Sequence, residues 1–211
     1  MRTPLIAGNW KMYMTVDSAV NMLQELLERL AGKAPENRSV LICPPFTAIS
    51  AVAAILDGAG ILWGGQDMYP ADQGAFTGEI SPIMLTDLGC THVIVGHSER
   101  RHIIGEGDEF INRKVRSALS HDLVPILAVG EKIEQRRAGK EKAVVEEQLA
   151  KGLEGVEPAD AARIVIAYEP IWARRPSPPM RRPCTPSFAN GWPSATTRGS
   201  PTGSSFSTVA V

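Results

Sequence analysis

The stretch AYEPIWA (Ala167–Ala173) places a carboxylate, Glu169, directly after a predicted buried strand. That strand covers Arg163–Ala167, because its centre is a short run of β-branched residues. In parallel α/β proteins, the residues that follow the strand ends carry the chemistry. Glu169 is therefore a candidate functional residue, and a solvated loop charge is the alternative interpretation.

The charge distribution divides the chain near residue 173. The whole sequence of 211 residues has 22 basic and 23 acidic residues, which does not indicate binding to nucleic acid or to a membrane. Residues 174–211 contain five arginines and no acidic residue, so residues 1–173 carry a net charge of −6. A length of 211 residues is enough for one large domain with its own core.

The three cysteines, Cys43, Cys90 and Cys184, are scattered and lack metal-ligand spacing. They predict a reducing compartment without disulfides and without a metal site. The N-terminus lacks the apolar core of a signal peptide, and no apolar run reaches the length of a membrane span. These features predict a soluble protein of the cytoplasm.

Short apolar runs alternate with helical patterns along the first 173 residues. Before the strand at Arg163–Ala167, five strands are predicted: Leu5–Trp10, Val40–Cys43, Ile61–Gly64, His92–Val95 and Val124–Val129. The helical patterns between them cover residues 16–30, 48–56, 82–88, 108–119 and 132–153. The first helix is predicted to have Thr15 as its N-cap, to end at Gly32 and to carry Val16 on its apolar face. This alternation predicts repeated βα units and a parallel sheet.

Such a sheet closes either as a doubly wound sheet or as a (β/α) barrel. Residues Gly8–Lys11 read GNWK, which is not the glycine-rich fingerprint of a dinucleotide-binding fold. Polar or charged residues follow four of the predicted strands, and chemistry spread over several strand ends favours the barrel.

Four residues at strand ends form a candidate catalytic set: Asn9, Lys11, His97 and Glu169. An amide donor, a fixed positive charge, an imidazole and a carboxylate suit removal of a proton next to a carbonyl group, with donors for the oxyanion that develops. Each residue has an ordinary alternative: Asn9 as a strand end, Lys11 as a surface lysine and His97 as a structural histidine.

Other ionisable residues near these positions are interpreted as structural. Glu99 and Arg100 could form an ordinary surface ion pair, and the remaining histidines are His92, His102 and His121.

Five segments resemble signatures of the triosephosphate isomerase family. They are NWKM (9–12), GAFTGE (74–79), GHSERR (96–101), VGE (129–131) and AYEPIWA (167–173), in the order and spacing of that family. The resemblance covers residues 1–173. It implies an α/β protein with the (β/α)8 TIM-barrel fold, truncated here after about six βα units.

The resemblance also implies roles, which are those established for this family rather than deduced from spacing. Glu169 would be the base and His97 the neutral electrophile in the interconversion of two triose phosphates, a step of glycolysis and gluconeogenesis. Asn9 and Lys11 would bind the phosphorylated substrate, and Glu99 would be a carboxylate that lies near Lys11 without binding the substrate. The loop Gln66–Glu79 would enter a partner subunit through Thr77, which implies a homodimer, with neither a cofactor nor a metal.

After Ala173 the resemblance ends, so residues 1–173 are predicted to be a partial barrel domain and residues 174–211 a separate tail. The tail has seven prolines and no acidic residue, which predicts disorder, and a partner-binding Pro-rich segment is one interpretation. Without strands seven and eight, the sheet is predicted to keep two unpaired edges. The alternative function is an inactive remnant of the family that acts as a dimerisation or interaction module.

The preferred interpretation of the tail is a shifted reading frame. In the shifted frame, each codon consists of the last base of one present codon and the first two bases of the next. At this offset, the possible codons of Thr185–Pro193 permit the amino-acid sequence HAFIRERLA, and those of Phe206–Val211 permit ILYGGS. These resemble a helix and a phosphate loop from the last third of the family. The hypothesis is tested by resequencing the DNA after the codon of Ala173 and by the mass of the intact protein.

Overall fold

The computed structural model describes residues 3–30, 37–170 and 172, and the backbone of residues 207–210. Gly32, proposed above as the end of the first helix, lies outside the described residues, as do 174–206 and 211. The strands are β1 Leu5–Asn9, β2 Ser39–Cys43, β3 Leu62–Gly65, β4 His92–Val95, β5 Val124–Val129, β6 Val165–Tyr168 and β7 Ser207–Ala210.

Strands β1 to β6 form one parallel sheet in chain order, and they curl into part of a barrel. The prediction of a TIM-barrel fold reduced to about six βα units is confirmed. Because all six strands run in the same direction, their carboxyl ends lie along one edge of the sheet. The register pairs Val129 of β5 with Tyr168 of β6, which brings Glu169 level with the end of β5.

The helices lie between successive strands. They are α1 Val16–Leu30, α2 Ile49–Leu56, α3 Pro82–Asp87, α4 Asp108–Ser120, α5 Ile133–Arg137, α6 Glu141–Gly152 and α7 Pro158–Ala161, with a 3₁₀ turn at Phe46–Ala48 and a π-helical turn at Arg100–Ile104. The predicted N-cap is present, since the Ser18 N–H donates to Thr15 Oγ1 at 3.4 Å.

The core has an inner part and an outer part. Small and aliphatic side chains pack together on one face of the curled sheet: Leu5, Ala7, Leu41, Cys43, Ile94, Ile126, Ala128 and Ala167. Two further clusters join the other face to the helices, one around Leu85, Val115 and Leu127 and one around Trp10, Leu23 and Leu56. Both faces of the sheet are therefore buried, as parallel sheets require.

Two details of the helix predictions are wrong. The single helix predicted over Lys132–Leu153 is interrupted, because Gly139 adopts a φ of +66° between α5 and α6. Val16 was placed on the apolar face of α1, but it is 41% exposed, and Ala19 and Leu23 are the buried residues of that helix.

The outer edge of β1 is paired, which corrects the prediction of two unpaired edges. β7 lies antiparallel to β1 in the register Ile6↔Ala210 to Asn9↔Ser207. Among the described strands, β6 is therefore the one that keeps an unpaired edge apart from the added strand β7. Unpaired backbone groups on the edge of β1 attract a partner strand. No helix in the described part of the chain is both long and apolar enough to span a membrane.

Candidate active site

Three of the four candidate catalytic side chains meet above the inner core. Asn9, His97 and Glu169 line a cavity of about 20 Å³ whose other walls are apolar: Ala7, Ile94, Ile126, Ala128 and Ala167. A space of this size holds about one water molecule. The strand order explains the meeting, since Asn9 ends β1, His97 follows β4 and Glu169 follows β6 on the same edge of the sheet.

The central pair of the site is His97 and Glu169, with His97 Nε2 lying 3.1 Å from Glu169 Oε1. The Glu99 backbone N–H donates to His97 Nδ1 at 3.2 Å, so this nitrogen is an acceptor and the ring proton belongs on Nε2. The Nε2 atom is buried and, within the described residues, makes no aligned hydrogen bond. A buried donor of this kind is ready to bind a polar atom placed in the site.

The carboxylate of Glu169 has a second partner. Ser98 Oγ donates to Glu169 Oε2 at 3.3 Å. One carboxylate oxygen thus lies against His97 and the other against Ser98, two successive residues after β4. The orientation of the carboxylate is set by the β4 end of the sheet.

Lys11 is held in an unusual backbone conformation, with a φ of +54°. The Lys11 N–H donates to Asn9 Oδ1 at 2.9 Å, and Gln66 Nε2 donates to the Lys11 carbonyl oxygen at 2.8 Å. A non-glycine residue in this region costs about 1–3 kcal/mol and persists where the surroundings hold it. Asn9 and Gln66 are the residues that hold it here.

The ammonium group of Lys11 points to Glu99 rather than into bulk water. Lys11 Nζ lies 2.9 Å from Glu99 Oε1, and the lysine side chain is only 15% exposed. Glu99 also contacts His97, because its backbone N–H donates to His97 Nδ1 and its Oε2 lies 3.5 Å from the same nitrogen. Glu99 thus connects two of the candidate catalytic residues.

The turn before His97 depends on Gly96 and Arg101, which had no assigned role. Gly96 has a φ of +69°, where a side chain would be strained. Arg101 donates to the Gly96 carbonyl oxygen at 2.7 Å and to that of Ala128 at 3.3 Å, and it also pairs with Asp108. The segment GHSERR was quoted as a signature, but spacing alone did not indicate that its last arginine shapes the turn.

A buried ion cluster lies next to the site and was not predicted. Lys114, which is fully buried, donates to both oxygens of Asp67 at 2.8 Å and to Glu106 Oε1 at 2.6 Å. Arg100 Nε lies 2.9 Å from Asp67 and donates at 2.7 Å to Glu106. The alternative of a Glu99–Arg100 surface pair is therefore wrong, because each residue has other partners.

The carboxylates of this ion cluster differ in their pKa values. Burial raises the pKa of Asp67 to about 6, although Lys114 lowers it. For Glu106, burial alone would raise the pKa, but hydrogen bonds from Arg100 and Lys114 hold it below its usual value. The ion cluster joins β3, the π-helical turn and α4 behind the site.

The remaining residues singled out in the sequence lie outside this arrangement. Thr77 is exposed on the loop between β3 and α3, where Phe76 stacks on Tyr69 with ring centroids 4.2 Å apart. His92 Nδ1 lies 2.8 Å from Thr91 Oγ1, and His121 Nε2 lies 3.0 Å from Asp72.

Comparison with known proteins identifies the family of this chain. A profile of the Triosephosphate isomerase family matches residues 4–174. The chain belongs to the triosephosphate isomerase family. The enzyme of this name from Roseiflexus sp. (strain RS-1) is 57% identical over 173 residues, covering 82% of this chain and 67% of the relative. That from Chloroflexus aurantiacus is 53% identical over 173 residues, covering 82% and 68%.

A solved structure gives the same result at the level of the fold. The crystal structure of triosephosphate isomerase from Bartonella henselae matches with a TM-score of 0.74 and 39% identity, covering 81% of this chain and 69% of that one. This chain therefore spans about two thirds of the length of the triosephosphate isomerases that it matches. The recognition made from the five sequence segments is confirmed.

Proposed function

We propose that this chain interconverts dihydroxyacetone phosphate and glyceraldehyde 3-phosphate, the isomerisation step of glycolysis and gluconeogenesis. The observation that carries the proposal is the distance of 3.1 Å between His97 Nε2 and Glu169 Oε1, at the mouth of an apolar cavity. A proton donor and a carboxylate base on adjacent sides of one small space suit a substrate that carries a carbonyl group next to a C–H bond.

In the proposed reaction, the Glu169 carboxylate removes a proton from the carbon next to the carbonyl group. The electron pair of that C–H bond forms the double bond of an enediolate, while the carbonyl oxygen takes the proton of His97 Nε2. His97 then regains a proton from the hydroxyl group on the neighbouring carbon. Glu169 returns its proton to the former carbonyl carbon, so no cofactor is consumed. Neutral histidine in this role is established for triosephosphate isomerase.

Lys11 and Asn9 would stabilise the negative charge that builds up on the substrate. A fixed ammonium group 2.9 Å from Glu99 is already oriented before substrate arrives, which is what electrostatic stabilisation of a transition state requires. Lys11 would also face the phosphate of the substrate. Glu99 would keep the lysine and His97 in place without contacting the substrate.

The test follows proton exchange directly. The full chain is purified from a host that lacks its own isomerase, and the exchange of the substrate C–H proton with D2O is followed by NMR. The substitution Glu169→Gln is expected to lower the rate by about 10³-fold or more and His97→Gln by about 10²-fold, because general acid–base catalysis contributes 10²–10⁴. Exposed Glu147→Gln is the matched control, and equal rates for Glu169→Gln and the unaltered chain would refute the proposal.

A homodimer in the cytoplasm is the second part of the proposal. Several apolar side chains are exposed, as expected for an interface: Met12, Phe76, Ile83, Met84 and Ile103. Two of them, Met12 and Phe76, lie next to Lys11 and Thr77. The free, buried cysteines Cys43 and Cys90 suit a reducing compartment. Analytical ultracentrifugation tests the dimer, and a concentration-independent monomer would overturn it.

An inactive interaction module is the second candidate function. It is favoured by one observation: the family similarity ends at residue 174, when six of the eight barrel strands have been formed. This candidate predicts no C–H exchange above the Glu169→Gln background together with a defined complex on size-exclusion chromatography. Soluble aggregate alone would argue against it.

A further inference from the structure

The backbone of Glu169 packs directly against the end of β5. A Cβ atom added to Gly130 would lie 2.1 Å from the Glu169 carbonyl oxygen and 2.6 Å from its carbon. The Glu169 N–H donates to the Val129 carbonyl oxygen at 2.8 Å. The position of the Glu169 main chain is therefore set by where the Val129–Gly130 segment lies.

Gln148 of α6 fixes that segment from the other side. Its Oε1 accepts a hydrogen bond from the Gly130 N–H at 2.8 Å, and its Nε2 donates to the Gly130 carbonyl oxygen at 3.2 Å. Gln148 is 9% exposed, in a helix whose neighbouring residues Glu146 and Glu147 face solvent. A buried amide that binds both polar groups of one residue holds that residue in a single orientation.

Glu131 holds the same segment through two aromatic side chains. It is fully buried and accepts hydrogen bonds from Tyr168 Oη at 2.9 Å and Trp172 Nε1 at 2.7 Å, which flank Glu169 in the sequence. Arg136 donates to it at 3.2 Å and lies 4.7 Å over the Trp172 ring. Burial alone would raise the pKa of Glu131, but these donors hold it below its usual value, so the group is ionised.

We propose that Gln148 and Glu131 are positioning residues that fix the main chain of Glu169, and through it the distance from its carboxylate to His97. The inference rests on the proposed function, in which that carboxylate is the base. Neither residue is placed near the substrate. Their effect on catalysis comes from geometry, because a displacement of about 1 Å in a reacting group can cost about 10²-fold in rate.

The test measures position without requiring activity. Amide hydrogen exchange of the full chain is compared for the unaltered protein and for two isosteric substitutions, Gln148→Glu and Glu131→Gln. Gln148→Glu removes the donor to Gly130, and Glu131→Gln removes the charge that binds Trp172. Each is expected to raise exchange at the Glu169 amide by about 10- to 100-fold, which corresponds to loss of a charged or buried hydrogen bond.

Three comparisons separate positioning from general stability. Exchange at the Val93 and Ile94 amides of β4 should stay unchanged in both substitutions. The controls Gln135→Glu and Glu147→Gln should change exchange neither at the Glu169 amide nor in β4. The Trp172 indole N–H resonance should move upfield in Glu131→Gln only. Unchanged exchange at Glu169, or an equal rise in β4, would overturn the proposal.

A kinetic comparison then connects position with catalysis. In the proton-exchange assay, both substitutions should lower kcat with KM nearly constant, since they act on the base and not on substrate binding. If the unaltered chain shows no exchange of substrate protons, the proposed function fails, while the amide measurement still decides whether Gln148 and Glu131 hold Glu169.

Discussion

The two halves of the candidate site differ in how many parts of the fold hold them. The Lys11 half, made of Lys11, His97 and Glu99, is built on β1 and β4, and the buried ion cluster of Asp67, Arg100, Glu106 and Lys114 lies behind it. The Glu169 half follows β6, the last strand on its side of the sheet, which among the described residues pairs with β5 alone.

This difference shows which half depends on the completeness of the barrel. A strand of a closed (β/α)8 barrel has a neighbour on each side. β4 lies between β3 and β5, so the part of the Lys11 half that follows β4 has a parallel strand on each side, as in a closed barrel. Glu169 is instead held by the end of β5, by Gln148 through Gly130, and by Ser98. Conservative substitutions around the Glu169 half should therefore move its carboxylate relative to His97.

The largest expected effect comes from breaking the support of the Lys11 half. Replacing Lys114 by Met would leave Asp67 and Glu106 buried with one fewer cation, since Lys114 is fully buried and contacts both carboxylates. Removing one partner of a buried ion pair costs about 3–5 kcal/mol. The free energy of unfolding, measured in urea, should fall by that amount.

The control for this substitution is Lys142→Met. Lys142 makes an exposed pair with Glu146 at 3.5 Å, so its loss should change stability by less than about 0.5 kcal/mol. If the two substitutions have similar effects, the ion cluster does not support the Lys11 half in the way its burial indicates.

The next effect acts on the Glu169 half. Replacing Gly130 by Ala would force a methyl group to within 2.1 Å of the Glu169 carbonyl oxygen, so the backbone must move. Such overpacking costs about 1–3 kcal/mol, and the proton-exchange rate should fall more steeply than stability because Glu169 is displaced. Gly107→Ala is the control, since a Cβ at Gly107 meets no atom within 4 Å. A loss of activity no larger than in Gly107→Ala would contradict the close contact.

Much of the fold was predictable because its signals are local. Each βα unit carries its own apolar run and helical pattern, and all six parallel strands lie within a residue or two of their predicted positions. The break between α5 and α6 was missed because the charged pattern continues across Gly139, whose positive φ was not indicated by its neighbours. The pairing of β7 with β1 was missed because it joins residues about 200 positions apart.

The site was predictable only in part, because contacts between distant parts of the chain leave no local signal in the sequence. Asn9, Lys11, His97 and Glu169 stand in recognisable segments, so they could be named. The residues that hold them come from distant parts of the chain and from ordinary-looking positions: Gln66, Asp67, Lys114 and Gln148. A buried lysine or glutamine in an amphipathic helix has the same local pattern as an exposed one, and only the folded chain distinguishes them.

A smaller effect should be visible in the pH dependence of stability, through His92 of β4, the strand that His97 follows. Burial lowers the pKa of His92 from 6.5 to about 4. The unfolded chain therefore binds a proton between pH 6.5 and 4 that the folded chain does not, so this histidine lowers stability as the pH falls through that window.

The substitution His92→Gln should remove that dependence. The difference in unfolding free energy between the two proteins should be constant above pH 7. It should change by roughly 1–2 kcal/mol between pH 7 and pH 4. This is less than the full pKa shift would give, because His92 is only half-buried and its charge is partly screened by water. The raised pKa of Asp67 acts in the opposite sense but is common to both proteins. A His92 pKa near 6.5 by NMR would contradict the burial of this strand.

The smallest effect on stability should come from Glu99→Gln, within the Lys11 half itself. The Glu99 side chain is 36% exposed, so its ion pair with Lys11 is screened by water and salt, unlike that of Lys114. Unfolding free energy should fall by less than about 1 kcal/mol, and the difference should shrink further in 1 M salt. The proton-exchange rate should fall more than stability, because this carboxylate orients the Lys11 ammonium group. A loss of stability as large as that of Lys114→Met would mean that Glu99 supports the fold rather than the charges of the site.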